Sequence, residues 1–527
     1  MELPSIEEMI RRRSFLKIMA TGVAAAAAPA LVGCAGKKNI PKLEEDKPLA
    51  LTGCRVVDVV SGQVSEPMTL FFEKGRISAI SPNEPEASDQ LTVVVADGLY
   101  AVPGLIDGHC HCTSSGAYGF RTTDAWFHFM QIRNQFGNCL DSGVTTLRDT
   151  GAFPGLLHPL MKEMDMGTLS GPRIYYCNSV LNIKGGHPDI NPKDISSLAG
   201  IGAIHMGVLM TNFADTRELK RALDRNCLNA YFVKLTVDNV SLIRGKVEIP
   251  VYSDDHLRLI FRFAENNNLP VAAHCLSHYG FSRMMDYPVS SLEHVVADQV
   301  LTDREVETMA RKGVNIVPTM TLAQVYLAKE AFTTLPEQYD TPFVQNELML
   351  RHQYLMKVPE KLIRPSIHEE NMEKLAMYQK YTPEECLKKK IFLAKAEPFF
   401  GMATNGVENL KKMKQAGINI GAGMDAGLPF SYFGTLSREL EMLTRIGFTP
   451  LEALQAATVN NAKILGVEDR LGQVQAGMFA DVVLLSENPV SDIAATEKPG
   501  MVFMEGKMVS SASPMIRQGN IIRAGKA

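Results

Sequence analysis

The run Val102–Cys112, "VPGLIDGHCHC", decides how the rest of the chain is read. An apolar segment ends in His109 and His111. Residues two apart on an extended strand point to the same side, so the two imidazoles can grip one ion. Working outward, Lys234, His274, His294 and Asp425 each close a short apolar run of β type: "AYFVKL", "PVAAHC", "SSLEHV" and "INIGAGMD". Imidazole and carboxylate are usual ligands of first-row metals. A neutral lysine amine can take up carbon dioxide to become a carbamate, whose two oxygens can bridge two cations. A lone His-x-His, strand-end lysine or aspartate is more often a hydrogen-bonded, solvated or capping residue. It is the ordered combination, each member closing a separate strand, that points to a two-metal hydrolase.

From residue 104 to about 465, apolar strand runs alternate with helical patterns. Strands are expected at 102–109, 144–149, 173–180, 231–237, 270–275, 291–295, 314–319 and 418–424. Such alternation implies an α/β fold with a parallel barrel, whose site lies at the C-terminal strand ends. Residues 48–103 and 466–527 read as short strands with Gly, Pro and Asn turns, and are expected to build one composite β-sandwich domain. Within the barrel, Thr321 to Asn419 forms a long insertion with helical spacing, as in "FVQNELMLRHQYLMKV". Connections this long carry structure or function; a cap over the barrel mouth and an oligomer contact are the two readings.

These motifs resemble the amidohydrolase superfamily. "GVTTLRDTG" (Gly143–Gly151) is similar to its second strand, and Phe448–Ile493 to its C-terminal signature. "LTGCRVVDVVSG" and "LFFEKGRISAI" match its N-terminal strands. The resemblance runs across the chain after the first forty-odd residues, and the nearest branch is imidazolonepropionase-like and prolidase-like, including Xaa-Arg dipeptidases and ochratoxin-cleaving amidases. It implies a (β/α)8 TIM barrel and a carboxylated lysine, here Lys234, on the fourth strand. Imidazolonepropionases proper have no such lysine, which argues against that activity.

The implied site holds one divalent ion by His109, His111 and Asp425 and a second by His274 and His294, with the Lys234 carbamate across both; zinc is the expected metal. A metal-bridged hydroxide would attack an amide or peptide bond of an N-acyl amino acid or dipeptide-like substrate, with Asp425 as general base and acid. A lactone, ester or cyclic-amide hydrolase with the same centre is the alternative, and a non-catalytic binding protein on this fold a third reading. "GGHPD" resembles the branch's "GGHG" loop, which would turn His187 to the substrate. "VYSDDHL" lines up with its Tyr-Ser-x-Glu stretch, which makes Tyr252 a candidate for the substrate carboxylate. Leu276 stands where the branch has a further histidine, and His278 is the candidate replacement. Arg148 is expected in a buried ion pair around Asp149. Strand alternation turns Cys110 away from the histidines; Cys112 is open.

Lys plus Arg total 54 against 58 for Asp plus Glu, a net charge of −4, so the chain offers no electrostatic footprint for nucleic acid. Residues 1–36 combine Arg11–Arg13, an apolar run from Ile18 to Val32 and "LVGC". The run is short for a membrane span, which needs about 20 residues, and suits an export signal. "RRSFLK" resembles a twin-arginine signal and "LVGC" a lipobox with Cys34 as the lipid attachment point. The expectation is an exported lipoprotein of the cell envelope, with residues 37–47 as linker, membrane contact through the lipid alone, and a homo-oligomeric state. The remaining cysteines make no dense disulfide framework.

Overall fold

The computed structural model describes residues 47–118, 125–187, 210–227, 229–241, 248–381, 385 and 395–524. The signal segment, Cys34 and all of the linker but Lys47 lie outside the described residues.

The first strands are β1 (Leu49–Val57), β2 (Val64–Glu73), β3 (Arg76–Ser81), β4 (Thr92–Val95) and β5 (Tyr100–Pro103). The central strands are β6 (Leu105–Cys110), β7 (Val144–Asp149), β8 (Arg173–Tyr176), β9 (Val180–Ile183), β10 (Met210–Phe213), β11 (Val233–Thr236), β12 (Val271–His274), β13 (Ser291–Glu293) and β14 (Asn315–Val317). The last are β15 (Val482–Leu485), β16 (Met501–Met504), β17 (Lys507–Ser511), β18 (Met515–Gln518) and β19 (Ile521–Ala524).

The two ends of the chain share one sheet, in the order β17–β16–β15–β5–β1–β4–β19–β18, with β2 on β1 and β3 on β2. Turn chemistry fixes its hairpins. Lys74 and Gly75 have φ of 51° and 76°, and Glu505 and Gly506 of 49° and 72°. Paired positive φ values are what a two-residue hairpin needs to match strand twist. Leu51, Leu70, Phe72, Val94, Val482 and Phe503 form its core, so neither end segment is complete without the other.

The barrel strands pair in parallel as β6–β7–β8 and β10–β9–β11–β12–β13–β14. Tyr231 N donates to the Tyr176 carbonyl at 2.9 Å, which links the two groups. The expected strand 418–424 takes the eighth position without a regular ladder. Gly421 N donates to Ile316 O, Gly108 N to Ala422 O and Asp425 N to His109 O, each at 2.8 Å. The irregularity follows from glycine: a Cβ on Gly423 would lie 2.7 Å from His109 Cβ, and Gly427, at φ 104°, would place one 2.5 Å from the His111 carbonyl. Close approach to β6 excludes side chains there. The expected strand 173–180 is likewise two pieces, β8 and β9, split where Asn178 takes φ 63°.

From the C-terminal signature, Asn461 donates its amide to Ile106 O and Ala422 O, both at 2.7 Å, and stitches the first barrel position to the eighth. Helices cover the outside; that at Asp303–Arg311 starts with a Thr302–Glu305 capping box. Each fully buried Leu or Ile of the core adds roughly 1.5–3 kcal/mol. The insertion contributes the helices Pro342–Met356, Pro365–Lys380 and Glu397–Gly401, the last continuing through a π turn, Met402–Gly406, into Val407–Gln415.

Candidate metal centre

β6 delivers His109, His111 follows just past its end, and Asp425 stands on the segment bonded to β6. The ring Nδ1 of His109 lies 2.8 Å from Glu293 Oε2, and that of His111 lies 2.8 Å from the Gly151 carbonyl. A carbonyl and an ionised carboxylate only accept. In its neutral form each histidine therefore carries its proton on Nδ1 and leaves Nε2 free to take a cation. Those Nε2 atoms lie 3.5 Å and 3.0 Å from Asp425 Oδ1. Ligands at about 2.1 Å around a tetrahedral ion are about 3.4 Å apart, so these spacings suit one shared cation.

The imidazoles continue inward as a chain. Ring centroids are 4.9 Å apart for His109 and His294, 4.3 Å for His294 and His274, and 4.2 Å for His274 and His187. His274 Nε2 is 3.3 Å from Asp238 Oδ2, without the alignment of a hydrogen bond. Among the described residues, Asp425 Oδ1 and His274 Nε2 are both buried with no hydrogen-bond partner. Buried polar atoms in native folds almost always have one, so two orphans within a histidine cluster fit a centre that takes cations.

Lys234 on β11 is 3% exposed. Burial pushes its amine below its ordinary value, while Glu293 and Asp425 work against that fall. Burial, followed by the Lys234 charge, lowers His109 to about 4. Burial holds His274 and His294 well below the usual imidazole range. For His111, burial opposes protonation but the Asp425 carboxylate outweighs it, and its pKa rises. Burial also resists the Asp425 charge, yet His109 and His111 hold its carboxyl far below the usual range.

Sequence reasoning missed two carboxylates. Glu293 receives Arg148 Nη1 at 2.7 Å and Ser291 Oγ at 2.7 Å in addition to His109. Arg148 also stacks 4.5 Å over Phe232. The buried ion pair expected for Arg148 thus exists, with Glu293 rather than Asp149's surroundings as partner. Strand alternation would turn Glu293 away from its neighbour His294; the φ of 69° at His294 brings both to the centre. Asp238 accepts from Leu276 N at 3.0 Å, and from Ser277 N and Oγ at 2.8 and 2.6 Å. It lies at Lys234 plus four, in step with the inward positions 234 and 236, and that period was its signal.

The substrate candidates divide. His187 is 4% exposed, with Nδ1 3.1 Å from the Val240 carbonyl, so its Nε2 is bare. Tyr252 is buried, and its hydroxyl donates to Leu181 O at 2.7 Å. His278 Nε2 is 2.6 Å from Glu305 Oε1. A cavity of about 970 Å³ begins at His187 and Asp238, passes His278 and Arg283, and ends on Tyr339 and Lys395 of the insertion; Tyr252 does not line it. Cys110 and Cys112 are fully buried with sulfurs 3.7 Å apart, in the apolar core, and burial raises both thiols.

The amidohydrolase family matches residues 100–509. Ochratoxinase of Aspergillus niger is 25% identical over 419 residues, covering 76% of this chain and 73% of that protein. A prolidase solved with N-methylphosphonate-L-proline superposes with a TM-score of 0.64 at 22% identity, over 88% of this chain and 100% of its own. The A. niger ochratoxinase structure gives 0.62 at 19% identity, over 89% and 96%. At these identities the structural likenesses establish the fold, a TIM barrel; beside it, both chain ends build one ten-stranded sheet rather than the two packed sheets of the expected sandwich.

Proposed function

We propose, for a chain that belongs to the amidohydrolase family and is a hydrolase of carbon–nitrogen bonds, that it cleaves an amide or peptide bond in an N-acyl amino acid or dipeptide-like substrate. The residues proposed to hold its two cations are His109, His111, Lys234, His274, His294 and Asp425. The observation that carries this reading is the convergence of bare Nε2 atoms on Asp425 Oδ1, with each Nδ1 of His109 and His111 already committed. When bound, two divalent ions, zinc by the donor set, lower the pKa of water from about 15.7 toward 7 and stabilise charge on a carbonyl oxygen.

The chain's own residues complete the reaction. Asp425 takes a proton from the attacking water and passes it to the leaving amine, a role worth about 10²–10⁴ in rate. His187, with its proton on Nδ1, accepts a hydrogen bond through Nε2 from a substrate N–H. Lys234 is proposed as the carbamate: its neutral amine attacks the carbon of carbon dioxide, a C–N bond forms, one C=O pair moves onto oxygen, and nitrogen releases a proton. Burial favours the neutral amine this needs. The cavity beyond His187 receives the leaving group.

The test is a panel of N-acyl amino acids and dipeptides beside lactones, run on purified full-length protein with metal analysis. Amide cleavage abolished by a chelator, with about two metals per chain, supports the reading. Lactone cleavage without amide cleavage overturns it.

We also propose that the chain is an exported, homo-oligomeric lipoprotein anchored through Cys34. A Cys34→Ser protein that still fractionates with membranes would refute the anchor.

A further inference from the structure

We propose that Thr319 is a positioning residue that sets the tautomer of His294, and that Glu439 holds Thr319 in place to do so. This rests on the two-metal reading for its purpose, but its geometry stands apart from that reading.

Thr319 is fully buried and lies directly before the helix Met320–Val325, at φ 50°, ψ 46°. This left-handed conformation is an outlier for a β-branched residue. A threonine in that place ordinarily turns its hydroxyl onto a backbone N–H of the first turn. Here the hydroxyl makes no such cap. Instead Glu439, from the helix Leu436–Ile446, takes Met320 N at 2.8 Å on one oxygen. On the other it takes Thr321 N and Thr321 Oγ1, both at 2.6 Å. A carboxylate from a separate helix does the capping, and Thr319 is released for something else.

What it does is visible in its two contacts. Thr319 Oγ1 donates to the Pro318 carbonyl at 2.8 Å, and His294 Nδ1 lies 2.7 Å from Thr319 Oγ1. A hydroxyl has one proton. With that proton on Pro318, Oγ1 accepts from His294, so the imidazole keeps its hydrogen on Nδ1 and turns a bare Nε2 into the centre. His109 and His111 reach the same state through acceptors, Glu293 and Gly151, that cannot donate. His294 faces a hydroxyl that could do either, and the backbone geometry of residues 318–321 makes the choice. Orienting partners of this kind typically change metal affinity by about 10–100-fold when removed.

The experiment is imidazole ¹⁵N NMR on the metal-free full-length protein, followed by zinc titration, with His294→Gln used to assign the ring signals. Wild type and Thr319→Ser should show His294 protonated at Nδ1. Thr319→Val keeps the volume and branching but removes the acceptor; it should populate the Nε2–H form and weaken one zinc site about 10–100-fold. Glu439→Ala, which touches no histidine, should move the spectrum the same way, and it carries the test if Thr319→Val does not fold. An unchanged Nδ1–H tautomer with unchanged zinc affinity in folded Thr319→Val, or in folded Glu439→Ala where Thr319→Val does not fold, overturns the proposal. Wild type that shows the tautomer yet binds no zinc would instead overturn the two-metal reading and leave the positioning intact.

Discussion

The His109–His111–Asp425 cluster and the neighbouring His187–Asp238–His274 cluster each bring three ligand-type side chains close together, but by different means. The first is made by backbone: Asp425 N bonds His109 O and His111 N bonds Ala426 O, both at 2.8 Å, where the barrel closes. The second is made by side chains reaching between loops. His187 hangs on the Val240 carbonyl, and Asp238 ties the β11 loop to Leu276 and Ser277 beyond β12. Strand ladders fix positions more firmly than connecting segments do. The first cluster is therefore suited to chemistry that needs fixed geometry. The second, which opens onto the cavity, is suited to adapting to a substrate.

The largest break in that contrast is expected from Asp425→Asn. The backbone bond to His109 survives the change, so the protein should still fold while kcat falls by about 10²–10⁴; a small kcat change would move the proton transfer elsewhere. Next comes Glu293→Gln, which leaves Arg148 buried without its anion. A loss of about 3–5 kcal/mol in denaturant unfolding is expected, together with about 10–100-fold weaker metal binding at the first cluster.

A pH series sharpens the comparison further. Burial pushes Glu439 up to about 7 from its ordinary value of 4.5. A carboxyl raised in the folded state contributes stability that is complete below the unfolded pKa and lost as pH rises through the folded one. Stability should thus decline from pH 4.5 to about 7, by up to about 1.4 kcal/mol per unit from this group. Glu439→Gln should flatten that slope in urea titrations; an unchanged slope assigns it to other groups, such as Asp107 and Asp149, also raised to about 7 by burial. The smallest effect belongs to Tyr252→Phe. Its hydroxyl serves the Leu181 carbonyl, so a cost of about 1 kcal/mol in stability is expected, with equal KM for carboxylate substrates and their amidated analogues. A selective rise for the carboxylates would return Tyr252 to substrate binding.

His109, His111 and Asp425 were legible because strand ends and a period of two are written in residue order. Asp238 was there to be read by the same period and was passed over. Glu293 and Thr319 were not legible, because their roles depend on left-handed backbone at His294 and Thr319, which neither residue type announces. The eighth barrel position was found but expected as a regular strand; its glycines, which allow contact with β6, also break the ladder. Arg148 was recognised as paired, yet its partner lies across the barrel interior, a distance that sequence neighbourhood does not convey.

The sheet shared by the two chain ends has a bearing on how the barrel can change. Pro103 and Val482 are direct partners across β5 and β15, so the whole barrel is one closed loop clasped at its base. Closing a loop of that length costs about 5 kcal/mol of chain entropy, but the cost grows only with the logarithm of length. Adding a hundred residues between β14 and Asp425 raises it by only about 0.3 kcal/mol. With the clasp in place, new walls over the mouth add almost nothing to the cost of closing the loop and need only their own packing to order them, and the cavity can be reshaped for other leaving groups without touching the strands that carry the histidines.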